Sequence, residues 1–243
     1  MHHVVLERWS RGASPLHRRD PRAKLTALLV FLVVLATAQR SLPALSLALL
    51  FLLLGTLRWA GLPIVGALSR ACVVLPFTAV FAAVASISGD PARGLSLLLK
   101  SYLSALAVLL VVSSTTLPVL LRGLETAGAP RFLLMVAQFL YRYLFVISEE
   151  AQHMAKSAAS RGASVRGLAG SGARFRAAAG ALAVLFARSY GRAEQIHRAM
   201  LARGFGGHFH PLFELHFQVR DAVFALLGSL APVLVRFAVE RAL

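Results

Sequence analysis

The chain has 243 residues, of which 58% are hydrophobic and 15% are charged, and its mean hydropathy is +0.71. This composition excludes an ordinary soluble domain and indicates a polytopic membrane protein. The net charge of +16 does not indicate nucleic-acid binding, because the arginines lie beside apolar spans, where they set topology and meet anionic lipid headgroups.

Five apolar stretches predict membrane-spanning helices and an all-α fold. Asp20 and Pro21 precede the first stretch and predict an N-cap followed by proline in the first helical turn. Pro76 predicts a kink in the third stretch. The fourth stretch places the hydroxyl residues 113–116 deep inside the bilayer, where such residues pack helices together more often than they bind substrate. The five stretches are residues 23–38, 42–57, 64–87, 95–121 and 221–239.

The distribution of charge predicts the topology. Residues 122–219 contain 12 lysines and arginines against five acidic residues, whereas the loops after the first and third spans contain one arginine each, Arg40 and Arg93. The positive-inside rule therefore places the N-terminus and this block in the cytoplasm. We predict three regions: residues 1–121 with the N-terminus and four spans, residues 122–219 as a cytoplasmic module, and residues 220–243 as the final span.

Two long helices are expected in the cytoplasmic module, at residues 131–161 and 173–203. Each would be about 46 Å long at 1.5 Å per residue. Their apolar parts, residues 132–147 and 177–187, are interrupted or too short for a secure membrane span. We expect both helices to begin against the membrane underside.

A short repeat ends both long helices. Residues 150–162 read EAQHMAKSAASRG and residues 192–204 read RAEQIHRAMLARG. Glycine after the last turn is typical of a helix C-cap. Each arginine continues an apolar stripe at i, i+4 and i+7, which suits a groove on another protein where the guanidinium group meets a carboxylate. Arg-Gly is also a common ordinary helix end. The two stripes are Met154, Ala158 and Arg161, and Ile196, Met200 and Arg203.

The sequence offers little chemistry of its own. None of the three lysines follows a glycine, so there is no Walker A phosphate loop. No acidic residue lies in the middle of a span, where ion-coupled carriers usually need one. The cluster His208, His210, Glu214 and His216 fits no strong zinc signature. We therefore predict no metal site, no cofactor and no catalytic residues.

The residues of three segments together resemble the transmembrane T component of energy-coupling factor transporters, over essentially the whole chain. These segments are the Asp20-Pro21-Arg22-Ala23-Lys24-Leu25 start of the first span, the two Arg-Gly caps, and the continuation Gly204-Phe205. Length and the tail of residues 205–221 are most similar to the cobalt-type T component called CbiQ.

The resemblance implies a scaffold that is not an enzyme and that joins two cytoplasmic ATPase subunits to a membrane S component, which captures the substrate. It implies that Arg161 and Arg203 dock into grooves on the ATPases, and that Gly162 and Gly204 are the caps that orient them. Ala202 completes the usual Ala-Arg-Gly triplet, whereas Ser160 departs from it. The long helices are then coupling helices.

A contact face for the S component is expected on the first long helix, at Phe132, Met135, Phe139 and Tyr143. Cobalt is the expected substrate, with a CbiM-like S component, and another metal or a vitamin is the alternative. The expected location is the inner cell membrane. Two other classes of protein stay open, a conventional ABC permease and an integral membrane lipid enzyme, although the duplicated cap argues against the permease.

Overall fold

The computed structural model describes residues 9–10, 12, 14–38, 42–161, 171–207 and 217–242. These residues form helices and turns without a strand, which confirms the predicted all-α fold. The chain divides into two compact units. The first contains residues 1–128 and 213–243, and the second contains residues 129–212.

The first unit consists of apolar helices. They are α1 (Pro21–Thr37), α2 (Leu42–Trp59), α3 (Ile64–Ala71), α4 (Leu75–Ile87), α5 (Pro91–Ser113), α6 (Leu117–Thr126) and α9 (Val219–Ala242). A 3-10 turn, Cys72–Val74, joins α3 to α4 two residues before Pro76, near the position where the sequence predicts a kink. Asp20 caps α1 by accepting a hydrogen bond from the Arg22 amide at 2.8 Å, as predicted.

The core of the first unit is a leucine stripe. Leu45, Leu49, Leu53 and Leu57 recur at every fourth position of α2 and are buried, which is the spacing of one helix face. They pack with buried residues of α1, α3 and α5, including Leu106. Small residues bring other helices close: a Cβ at Gly228 of α9 would lie 3.0 Å from Ala27 Cβ of α1.

The predicted fourth span, residues 95–121, is wrong in its form. The helix α5 ends at Ser113 and α6 starts at Leu117, so three of the four hydroxyl residues, 114–116, lie in a break between two helices. The reason is Pro118. In a continuous helix the amide of residue 118 would bond the carbonyl of Ser114, but proline has no amide hydrogen and its ring clashes with that carbonyl.

The second unit contains α7 (Arg131–Ser160) and α8 (Ser171–Ala202), which confirms both predicted long helices to within two residues. Residues 162–170, between α7 and α8, lie outside the described residues. Within the described chain, four segments are long and apolar enough to cross a membrane: Ile64–Ile87, Pro91–Ser113, Arg131–Ser160 and Val219–Arg241. Pro43–Trp59 is a shorter apolar helix. By length and composition α7 thus qualifies as a span, contrary to the sequence analysis, because its apolar residues outweigh Gln138 and Arg142.

Candidate functional site

The second copy of the repeat ends α8 in a Schellman motif. The Phe205 amide donates to the Met200 carbonyl at 3.1 Å, and the Gly204 amide donates to the Leu201 carbonyl at 3.0 Å. These are the two bonds that define the motif, and they require a residue with positive φ between them. Gly204 has a φ of 78°. The glycine cap predicted for this helix is therefore confirmed.

The first copy of the repeat ends α7 at Ser160. The Arg161 amide donates to the Ala158 carbonyl at 3.2 Å, and Ser160 Oγ donates to the Ser157 carbonyl at 2.9 Å. The hydroxyl that distinguishes this copy thus bonds its own helix. Gly162, the predicted cap, lies outside the described residues.

The two repeated arginines are exposed at the helix ends. Within the described part of the chain, neither the Arg161 nor the Arg203 side chain forms a hydrogen bond or an ion pair. Other arginines of these helices do: Arg188 bonds Glu150, and Arg198 bonds Glu194 at 2.5 Å.

The helices α7 and α8 approach one another where Arg188 meets Glu150. One groove, of about 530 Å³, is lined by residues on the C-terminal side of Glu150 in α7 and the N-terminal side of Arg188 in α8. A second groove, of about 550 Å³, is lined by the other halves of both helices and by Phe205. The two grooves therefore flank the approach of the helices. Arg161 lies on the side of the first groove and Arg203 lies beyond the residues of the second, so the two arginines are at opposite ends of the helix pair.

The apolar stripes predicted from the repeat line these grooves. Met154, Ala158 and Arg161 all line the first groove, as their i, i+4, i+7 spacing requires. Ile196 and Met200 line the second groove, whereas Arg203 does not. All three residues of the first stripe therefore line one groove, whereas Arg203 lies outside the groove that the other two residues of the second stripe line.

Three of the four residues expected to contact a membrane partner share the second groove. Met135, Phe139 and Tyr143 are half-buried and line it, and the rings of Phe139 and Tyr143 stack with centroids 6.2 Å apart. Phe132 is 68% exposed and does not line this groove. Sequence reasoning did not identify Ile147, Ala193 or Phe205 as parts of the same groove, because their proximity depends on how α7 and α8 pack.

The sequence analysis also missed a group of buried polar residues in the first unit. Asp20, Lys24 and Asp221 are 7%, 2% and 6% exposed, although each is ionisable. The available signal was Lys24, one of the three lysines of the chain, placed in the first turn of an apolar helix.

The residues His208, His210, Glu214 and His216 lie outside the described residues, and among the described ones no three His, Cys, Asp or Glu residues form a group that could hold a metal ion.

Comparisons with known proteins give similarity over almost the whole chain. The family described as "Cobalt transport protein", CbiQ, matches residues 12–213. The "Energy-coupling factor transporter transmembrane protein EcfT" of Bacillus selenitireducens is 28% identical over 254 residues, covering 90% of this chain and 91% of that protein. The "Uncharacterized protein MJ1571" of Methanocaldococcus jannaschii is 21% identical over 253 residues, covering 95% of this chain and 85% of that protein. The similarity therefore includes both structural units.

Proposed function

The chain belongs to the CbiQ/EcfT family of transmembrane components of energy-coupling factor transporters, and we propose that it links two cytoplasmic ATPases to a membrane protein that captures the substrate. The observation that carries this proposal is the pair of exposed arginines, Arg161 and Arg203, each placed one residue past the end of a long helix. Because arginine holds a carboxylate with a planar, bidentate fork, an exposed helix end that carries one suits an acidic groove.

Each arginine docks on its own ATPase subunit. The two helix ends lie on opposite sides of the Glu150–Arg188 contact along their helices, so one ATPase subunit does not need to bind both. Gly204 holds Arg203 at the end of α8, and Ser160 and Ala202 are the last helical residues before the two arginines. Gly162 performs the same capping role at α7 in this proposal. ATP hydrolysis takes place on the ATPase subunits.

The second groove is the contact for the substrate-capturing S component. Met135, Phe139 and Tyr143 supply flexible and aromatic surface there, and such surfaces accept an apolar helix. Phe132 is exposed beside them and extends the apolar face. The substrate is cobalt and the S component is CbiM-like, since the family matched over residues 12–213 is described as a cobalt transport family.

The mechanism is mechanical. Closure of the ATPase subunits on ATP displaces the two arginine-bearing ends relative to one another. Since α7 and α8 meet at Glu150 and Arg188, that displacement changes the angle between the helices and with it the widths of the grooves on either side. A change in the second groove alters how tightly the S component is bound.

In this proposal the protein lies in the inner cell membrane with its N-terminus and the second unit in the cytoplasm, as the arginine distribution indicates.

The docking proposal is tested by co-purification of the ATPases. Arg161→Ala and Arg203→Ala should each weaken ATPase association about tenfold, since a hydrogen bond to a charged group contributes about 1.5–3 kcal/mol. The double variant should lose the complex while still inserting into the membrane. Arg198→Ala is the matched control, because Arg198 is exposed on the same helix but is paired with Glu194. A double variant that binds the ATPases as well as the wild type does would rule the proposal out.

A further inference from the structure

A buried polar junction holds the first unit together at the start of α1. Lys24 Nζ donates to the Ser114 carbonyl at 2.8 Å and to Thr115 Oγ1 at 2.9 Å. Ser114 is the residue whose carbonyl Pro118 leaves without its helical donor. The ammonium group of one helix thus replaces the amide that is missing from another. The buried polar junction consists of Asp20, Lys24, Ser114, Thr115 and Asp221.

The same junction holds the start of α9. The Asp20 amide donates to Asp221 Oδ1 at 3.3 Å, and the Gln218 amide donates to Asp221 Oδ2 at 3.2 Å. Arg19 lies 3.8 Å from Asp221 Oδ1. Asp221 therefore ties the first turn of α9 to the residues that begin α1. Its carboxylate accepts hydrogen bonds from two backbone amides and lies beside the Arg19 guanidinium group. These contacts offset the cost of removing the carboxylate from water.

The helix α6 is held to α1 by close packing as well. A Cβ at Gly123 would lie 3.1 Å from the Pro21 ring. The segments fixed here have a special place in the chain: α6 leads from the first unit into the second, and α9 is the first described helix after the chain returns. The helix α6 is thus held before its start by Lys24 and along its length at Gly123, and α9 is held at its start by Asp221.

We propose that Lys24 and Asp221 are positioning residues for energy coupling: they anchor both connections of the second unit, so that movement of α7 and α8 is transmitted into the membrane helices. This inference rests on the proposed function, because it assumes that α7 and α8 move with the ATPases. Without the anchor, the break at residues 114–116 and the start of α9 yield, and the movement is lost before it reaches the rest of the first unit.

The chain provides a matched control for Lys24. Lys100 of α5 donates to the Ala36 carbonyl near the end of α1 at 3.0 Å. Lys24 of α1 bonds the carbonyl that follows α5, and Lys100 of α5 bonds a carbonyl near the end of α1. Both lysines therefore link these two helices, but at opposite ends of α1. Lys24→Met and Lys100→Met each remove one ammonium group and keep an unbranched apolar side chain. Only the first removes the anchor of the second unit.

The first measurement is hydrogen exchange of the isolated chain in nanodiscs, which needs no partner. Lys24→Met should speed exchange of the first-turn amides of α6, including Val119 and Leu120, by about tenfold or more, the factor expected from losing a hydrogen bond to a charged group. Lys100→Met should leave these amides unchanged. If Lys24→Met leaves their exchange as in the wild type, the inference is overturned.

The second measurement uses the complex with its ATPases and S component in liposomes, with Co²⁺ as the probe. Lys24→Met should lower Co²⁺ uptake per ATP hydrolysed by roughly tenfold while the rate of ATP hydrolysis is retained. Lys100→Met should keep the wild-type ratio. A parallel fall of uptake and hydrolysis would mean a structural role alone and would overturn the inference.

Failure of the proposed function gives a different result. In that case the wild-type chain does not bind the ATPases or take up Co²⁺, while the exchange measurement still decides whether the anchor exists. If Lys24→Met does not insert into the membrane, Asp221→Asn replaces it in both measurements. That change keeps the shape and one acceptor oxygen but removes the charge beside Arg19. It should speed exchange of the first-turn amides of α9, including Ala222, and lower the uptake ratio. Wild-type values for this variant would contradict the inference.

Discussion

At the scale of single residues, Gly204 is the position where sequence and backbone are most closely linked. The φ of 78° places it in the left-handed region, where a side chain meets the following carbonyl. No atom lies within 4 Å of a Cβ added there, so the space around it does not require glycine. The requirement comes from the backbone conformation alone.

Gly204→Ala should therefore destabilise the end of α8 by about 1–2 kcal/mol. Gly180→Ala is the matched control, since Gly180 lies inside α8, also has no atom within 4 Å of an added Cβ, and has no positive φ. That change should stabilise α8 by roughly 0.5–1 kcal/mol, because alanine is the better helix former. Unfolding titrations in mixed micelles measure both. Equal effects of the same sign would contradict this account of the cap.

At the scale of helices, α1 and α9 are close because each has a small residue at the contact. With Cβ atoms at both Ala27 and Gly228, the two carbons would lie 3.0 Å apart, which is too close without a shift of one helix. Pro232, one turn further along α9, is fully buried. The contact thus depends on glycine at residue 228, as is common where membrane helices approach closely.

Gly228→Ala should destabilise the protein by about 1–3 kcal/mol through overpacking. The higher helix propensity of alanine offsets part of this loss. Adding Ala27→Gly should recover stability, because it removes the opposing methyl group; the double-mutant cycle should give a coupling of about 1 kcal/mol or more. Gly55→Ala in α2 is the control, since nothing lies within 4 Å of its added Cβ. Additive effects at residues 27 and 228 would show that the helices do not meet there.

The helices also show which features the sequence could predict. Local signals sufficed for the Asp20 cap, the helix interruption before Pro76 and the end of α8, because each depends on residues within one or two turns. The break at Ser114 was missed, although Pro118 was visible, because the apolar stretch around it reads as continuous. The lysine that compensates this break is 90 residues away in sequence. Helical spacing aligns Met135, Phe139 and Tyr143 on one face of α7, but it does not reveal which residues of α8 oppose them in the second groove.

At the scale of the whole molecule, the arrangement of charge predicts which parts of the chain face the cytoplasm. If the N-terminus is in the cytoplasm, the four predicted spans return the chain to the cytoplasm before the arginine-rich helices α7 and α8 begin. The helix α7 is nevertheless long and apolar enough to cross a membrane by itself. Whether it crosses decides on which side the Arg161 end of this helix lies.

The two topologies differ in the path of α7: in one α7 lies along the cytoplasmic face, and in the other it crosses the membrane. Ser88 and Ser160, which are both exposed, lie on opposite sides of the membrane in the first topology and on the same side in the second. In a Cys72→Ala background, Ser88→Cys and Ser160→Cys should react with an impermeant maleimide from opposite sides of the membrane, since α7 then lies along the cytoplasmic face. Labelling of both from the same side would mean that α7 spans the bilayer. It would also place Arg161 away from any cytoplasmic ATPase.

In the proposed mechanism, the contact between Glu150 and Arg188 is a pivot with arms of unequal length. From it, about 16 Å of α7 leads to Arg161 and about 22 Å of α8 leads to Arg203, at 1.5 Å per residue. In a scissor-like motion about this point, the α8 tip has a stroke roughly 1.4 times that of the α7 tip. If the proposed docking holds, the ATPase subunit that binds Arg203 would therefore move farther in each cycle than the subunit that binds Arg161.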